Sequence, residues 1–223
     1  MSRHDSIVTI DGPSGAGKST VSQLLAQRLH YTYLDTGAMY RAVGIKIVRS
    51  GIDEHDEQAL TRLLADLDLH LTTDEAGTRV FLGREDVSQA IRTAEMGMVA
   101  SRVSALPAVR RTLTALQQEM GKEGGIVAEG RDMGTVVFPG APHKFFLDAG
   151  PEERARRRHQ QLLEKGMASD YQEILAQIIK RDRDDSARAL APLKPAADAV
   201  IIDCSQMDAE AVVACMLQRI KGS

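Results

Sequence analysis

The sequence predicts an α/β fold, a doubly wound five-stranded parallel sheet with helices on both faces. Three observations carry that expectation. Five short, continuously apolar runs recur along the chain, segments of helical periodicity lie between them, and a glycine-rich turn directly follows the first run.

The strands are expected at Ser6 to Asp11, Thr32 to Asp35, Gly125 to Glu129, Lys144 to Asp148 and Ala199 to Asp203. Their unbroken apolar character, in place of an apolar/polar alternation, points to burial on both faces. Helical periodicity is clear at Val21 to Leu29, Ala38 to Val48, Gln58 to Leu67, Leu113 to Met120, Ile174 to Ile179 and Val212 to Ile220. One segment breaks the pattern. Leu67 to Leu71 and Arg79 to Leu82 have the short, period-two patterning of a β-hairpin around Thr73 to Gly77, expected in a small insert rather than in the main sheet. The stretch from Pro151 to Ala189, rich in Arg and Asp over a thin apolar stripe, reads as a mobile helical lid. The expected organisation is one domain over residues 1–223, carrying an insert at 62–100 and a lid region at 151–190.

A hydrophobic content of 43% is ample for a buried core in 223 residues. Met1 to Asp5 lead straight into the first strand and no run of about 18 apolar residues occurs, so neither signal peptide nor membrane contact is expected. Cys204 and Cys215 are too few for a disulfide framework or a four-cysteine metal site, which places the chain in a reducing cytoplasm. A net charge of −3 argues against nucleic acid as a partner. The chain is read as a monomer.

Gly12-Pro13-Ser14-Gly15-Ala16-Gly17-Lys18-Ser19-Thr20 fits the pattern G-x-x-x-x-G-K-[ST] in full, directly after the first strand. It makes this a P-loop NTPase fold. Its glycines let backbone N–H groups turn around phosphate oxygens, and the helix starting near Lys18 adds its positive dipole end. Lys18 is expected on the β- and γ-phosphates of ATP, and the Ser19 hydroxyl on the accompanying Mg²⁺. A P-loop alone leaves motor, switch, transporter and kinase open. The chain has no asparagine and therefore no Asn-Lys-x-Asp guanine-reading motif; Asp74 to Gly77 fits a switch Asp-x-x-Gly, but it sits at an expected hairpin turn and the match is read as chance.

Three further groups narrow the choice. Asp35-Thr36-Gly37-Ala38-Met39-Tyr40-Arg41 follows the second strand, whose carboxyl end opens on the same crevice as the P-loop, and Arg41 with Tyr40 suits a nucleotide phosphate. Glu129-Gly130-Arg131-Asp132-Met133-Gly134-Thr135 again lies just past a strand, between apolar residues. In Arg181 to Arg188, helical spacing puts Arg181, Asp185 and Arg188 on one face. Alone, that last group would pass for a solvated helix with i,i+4 ion pairs. His30, His55, His70, His143 and His159 lack ligand spacing, and Met96, Met98 and the other methionines read as packing residues.

Together these motifs resemble the bacterial type of cytidylate kinase, in the nucleoside monophosphate kinase family. The likeness runs over nearly the whole chain, through Asp11 to Lys18, Leu34 to Arg41, Gly130 to Val137 and Arg181 to Pro192. It implies transfer of the ATP γ-phosphoryl group to CMP or dCMP, with the insert at 62–100 as acceptor domain. It further implies that Thr36, Arg110 and Asp132 meet the cytosine ring, and that Arg181 and Asp185 meet the sugar. Arg41, Arg131 and Arg188 would meet the acceptor phosphate, with Ser101 and Tyr40 lining the pocket. Val109-Arg110-Arg111 offers two adjacent candidates, of which spacing favours Arg110, and Thr36 stands where the family also shows Ser. Arg154, Arg157 and Arg158 are lid candidates for phosphate contact, with Arg157 assigned to the donor nucleotide. The catalytic group is then Lys18, Arg41, Arg131 and Arg188.

Overall fold

In β1 (Ile7–Asp11) every residue is buried, as an unbroken apolar run in the middle of a covered sheet requires. The computed structural model describes residues 6–74 and 77–222; Met1 to Asp5 of the amino-terminal reading, and Glu75 and Ala76 of the expected hairpin turn, lie outside the described residues. After β1 come α1 (Lys18–Leu29), β2 (Thr32–Asp35), α2 (Thr36–Ser50), α3 (Glu57–Ala65), β3 (Leu69–Asp74), β4 (Gly77–Leu82) and β5 (Glu85–Asp86). Then follow α4 (Ala94–Val103), α5 (Pro107–Met120), β6 (Ile126–Glu129), β7 (His143–Asp148), α6 (Pro151–Glu164), α7 (Tyr171–Ser186), β8 (Val200–Asp203) and α8 (Ala209–Lys221). The main sheet has the order β2-β6-β1-β7-β8, and β3-β4-β5 form a second sheet of three strands.

The chain divides into two compact units, one of Met1–Thr32 with Gly124–Ser223 and the other of Tyr33–Glu123. In the first, β1 pairs in parallel with β6 and β7, and β7 with β8; Ile10 stands opposite Glu129 and Phe145. Val8, Ile10, Val127, Phe145 and Leu147 fill the sheet's covered faces, with Leu25 of α1 and Met216 of α8 among the largest fully buried side chains. Strand order reverses around β1, and the carboxyl ends of β1 and β6 are where such sheets bind ligands. The segment expected as a lid folds as two helices, α6 and α7, held by Ala155, Ile174 and Ile178 with Leu162, Tyr171 and Leu175 against them. That small cluster is the thin apolar stripe of the sequence.

In the second unit α2 lies beside α4 so closely that a Cβ on Gly44 would come within 2.7 Å of Val99. The hairpin β3–β4 is antiparallel, with His70 opposite Phe81 and the two rings stacked at 5.1 Å. Three features were not legible in the sequence. The hairpin gains a third short strand, β5; α4 forms from a segment with no clear stripe; and Met133–Val137 winds into one wide helical turn. Of the methionines expected to pack, Met39, Met96, Met133 and Met216 are buried, but Met98 is 66% exposed on the outer face of α4 and Met167 is 54% exposed between α6 and α7. The helix expected to reach Leu67 ends at Ala65, so that β3 starts only at Leu69.

Candidate active site

Among the described residues, α1 is the helix that begins on a glycine of the phosphate loop. Asp35, Asp56, Thr93, Asp170 and Asp208 cap their helices with side-chain oxygens, whereas Gly17 caps α1 in the left-handed region (φ 85°) with no side-chain bond and no acidic residue in the first turn. The first N–H groups of α1 are thus left to a ligand, and the dipole makes that ligand an anion. Gly12 opens the loop at φ 148°, where a Cβ would lie 2.1 Å from the Leu147 carbonyl oxygen, so any side chain would drive β1 and β7 apart.

Lys18 is buried and folds back across the loop, its Nζ donating to the Pro13 carbonyl at 2.7 Å. Burial, and then the charge of Arg131, with Arg181 adding to it, lower its pKa to about 7 in spite of nearby Glu129 and Asp11. A polyanion set among these cations reverses the balance and holds the proton on. ATP binding at pH 8 is therefore expected to take up to one proton, and affinity is expected to fall as pH rises above about 7. Titration calorimetry in two buffers of different ionisation enthalpy measures this uptake. Heat independent of the buffer at pH 8 would contradict it.

Around Lys18 the same unit gathers the third and fourth sequence groups. Arg131 Nε donates to Asp185 Oδ2 at 3.1 Å and Arg188 Nη2 to Asp185 Oδ1 at 2.5 Å, so one carboxylate, 1% exposed, holds two guanidiniums. Arg181 Nη1 reaches the Ser14 hydroxyl at 3.4 Å, against the phosphate loop. Asp132 is 2% exposed, and its charge acts on Asp11.

The second unit gathers the rest. Thr36 and Tyr40 are buried on α2, and Asp35 caps that helix through Ala38 N–H while accepting from Arg41 at 3.2 Å. Arg41 has room there because position 37 is Gly, where a Cβ would stand 3.1 Å from the Arg41 Nη1. Arg110 is the buried member of the arginine pair on α5, its guanidinium 5.9 Å from the Tyr40 ring, while Arg111 is exposed. Ser101 lies half-buried on α4.

A model of the cytidylate kinase family matches residues 8–222. The chain belongs to the cytidylate kinase family. It is 50% identical over 214 residues to a cytidylate kinase of Pelotomaculum thermopropionicum, covering 96% of this chain and 95% of that protein. A cytidylate kinase of Pseudomonas paraeruginosa is 51% identical over 209 residues, covering 93% and 91%. Among solved structures, a protein of Eubacterium ventriosum aligns over 98% of this chain and 99% of its own with a TM-score of 0.52; at 11% identity that likeness concerns the fold alone.

Two acidic residues of this cytidylate kinase family member stand in the sequence motifs with no role assigned to them there. Glu129, buried at the end of β6, accepts the Ser19 hydroxyl at 2.8 Å across 110 residues. Asp11, at the end of β1, accepts the backbone N–H groups of Met133 and Gly134, both at 2.8 Å, and so winds the wide turn that follows Asp132. Burial pushes its carboxyl up to about 6, although those two N–H groups favour the charged form. An acidic residue closing a buried strand beside the loop was the available signal in both cases.

The three arginines expected in a lid divide three ways. Arg158 is exposed. Arg157 donates to Glu153 and to the carbonyls of Cys204 and Ser205, placing it beside the loop after β8, whose Cys204 thiol reaches the Ala16 carbonyl at 3.2 Å. Arg154 is engaged with backbone and Asp182.

Among the described residues no three His, Cys, Asp or Glu side chains form a metal-binding group. Mg²⁺ asks for less, since it keeps several waters and takes one or two protein oxygens beside substrate phosphates. The Ser19 hydroxyl next to the Glu129 carboxylate is a hard oxygen pair of that kind. No helix is long and apolar enough to cross a membrane among the described residues.

Proposed function

We propose that this chain transfers the γ-phosphoryl group of ATP to CMP or dCMP, giving ADP and CDP or dCDP. The observation that carries the reading is the Arg131–Asp185–Arg188 fork, set so near the phosphate loop that Arg131 acts on Lys18. A simple nucleotide switch has no use for a second cationic cluster at its donor loop. A kinase must bring two polyanions together.

In this reading residues 62–100 form the acceptor insert, 151–190 the lid, and the catalyst works by alignment and charge neutralisation. The phosphate loop from Gly12 to Thr20 holds the donor, with Arg157 beside its nucleoside. Lys18, Arg41, Arg131 and Arg188 stabilise the charge on the transferring group. No general base is required, because the acceptor phosphate, with a second pKa near ~6, is already largely dianionic at neutral pH. Mg²⁺ would be held at Ser19, oriented by Glu129, and would supply further neutralisation of phosphate charge. Closing helices α6 and α7 exclude water, which otherwise accepts the phosphoryl group.

Cytosine presents an exocyclic amine donor beside two acceptors, which suits Asp132 with Arg110 and Thr36. Arg181 and Asp185 take the sugar, and Tyr40 and Ser101 line the pocket. Uracil would set its O4 against the Asp132 carboxylate, a mismatch worth orders of magnitude in kcat/KM. ADP release with Mg-ATP against CMP, dCMP, UMP and AMP tests this. CMP and dCMP are expected to exceed UMP by about 10²-fold or more; equal rates would remove the assignment of Asp132 and Thr36.

A further inference from the structure

Arg154, 3% exposed, is committed on every side within its own unit. Its Nε donates to the Ala149 carbonyl at 2.8 Å, Nη1 to the Ser14 carbonyl at 2.9 Å and to Asp182 Oδ1 at 3.0 Å, and Nη2 to Asp182 Oδ2 at 2.5 Å. A cation this deep is tolerated only when paired, and the two-pronged carboxylate of Asp182 pairs it. These bonds leave it no fork with which to grip a phosphate. The base of its side chain also abuts the loop, since a Cβ built on Gly15 (φ 82°) would stand 3.3 Å from the Arg154 Cβ.

We propose that Arg154, held by Asp182, is a positioning residue for the donor triphosphate, because it sets the plane of the peptide joining Ser14 to Gly15. In a trans peptide the C=O and N–H point in opposite directions, and no described peptide is cis. With the Ser14 carbonyl drawn to Arg154, the Gly15 N–H points away from that arginine, toward the hollow of the loop where a phosphate is cradled. Gly15 tolerates either sign of φ, so sterics alone would not prevent this peptide from turning over and offering its oxygen to a polyanion. Arg154 prevents it.

The lid helix α7 thereby serves both ends of the reaction. Asp182 governs the donor loop through Arg154, while Asp185, one turn on, governs Arg131 and Arg188. The proposal rests on the preceding reading only in taking a nucleoside triphosphate as donor, and its test needs no acceptor turnover.

The variants are Arg154→Met, Asp182→Ala and the conservative Asp182→Asn. Calorimetry with a non-hydrolysable Mg-ATP analogue is expected to show binding weakened about tenfold or more in the first two, with Asp182→Asn in between because it keeps one acceptor oxygen. CMP affinity, measured alone, is expected to stay within about twofold, a split that general loss of structure would not produce. If Arg154→Met does not fold, Asp182→Ala carries the same test. Unchanged ATP-analogue affinity in a folded variant, or a parallel loss of both affinities, would overturn the proposal.

Discussion

Replacing Lys18 by Met is expected to cut kcat/KM by about 10³-fold or more with every acceptor, the scale of losing one preorganised cation at a transferring phosphoryl group. Thermal stability without nucleotide should move the other way. Lys18 is buried among Arg131 and Arg181, and a pKa lowered to about 7 means that folding penalises its charge. The sign follows directly. Below pH 7 the folded protein carries the full penalty, and between about 7 and the ordinary lysine value of 10.5 the unfolded chain binds more protons, so this residue makes stability rise with pH. The Met variant should melt higher than the parent at pH 6, and the difference should shrink by pH 9. Activity surviving within tenfold would show that Lys18 is not the neutralising group, and a variant less stable at pH 6 would show that its charge is not a burden on folding.

Replacing Asp185 by Ala is expected to raise the CMP dissociation constant by about 10²-fold, or roughly 3 kcal/mol, while leaving ATP affinity within a few-fold. The carboxylate is 1% exposed and is shared by two arginines. Without it both guanidiniums remain, close to Lys18 and Arg181 and without their counter-charge, so the fork spreads and the protein loses stability as well. Asp185→Asn keeps the volume and separates the two effects, since it should fold nearly as well as the parent yet hold the arginines poorly. Calorimetry with each nucleotide separately reads the outcome. A loss of ATP affinity as large as that for CMP would place the whole of α7 on the donor side and reassign Arg131 and Arg188 with it.

How much of this was readable beforehand follows from the range of the interactions concerned. The expected strand at Lys144 to Asp148 and the observed β7 at His143–Asp148 differ by one residue, because a run of apolar residues between turn signals is a local property of the chain. The phosphate loop was equally legible, since its glycines, its lysine and the helix behind it are contiguous. β5 was missed because two polar residues acquire strand geometry only by pairing with Leu82 and Phe81. α4 was missed because its packing is set by Gly44 on another helix.

The sequence by itself determined the α/β class, the place of the phosphate loop, and which residue types a nucleotide kinase of this family would use. Only the tertiary structure decided which charge each of them faces. Ser19 meets Glu129 across 110 residues and Arg154 meets Ser14 across 140, and no periodicity or spacing encodes such pairs. An arginine on a helix looks the same in sequence whether it is solvated, as Arg158 is, or buried under a peptide plane, as Arg154 is. Desolvation separates the two, because a charge removed from water must find a partner, and folding chooses which one.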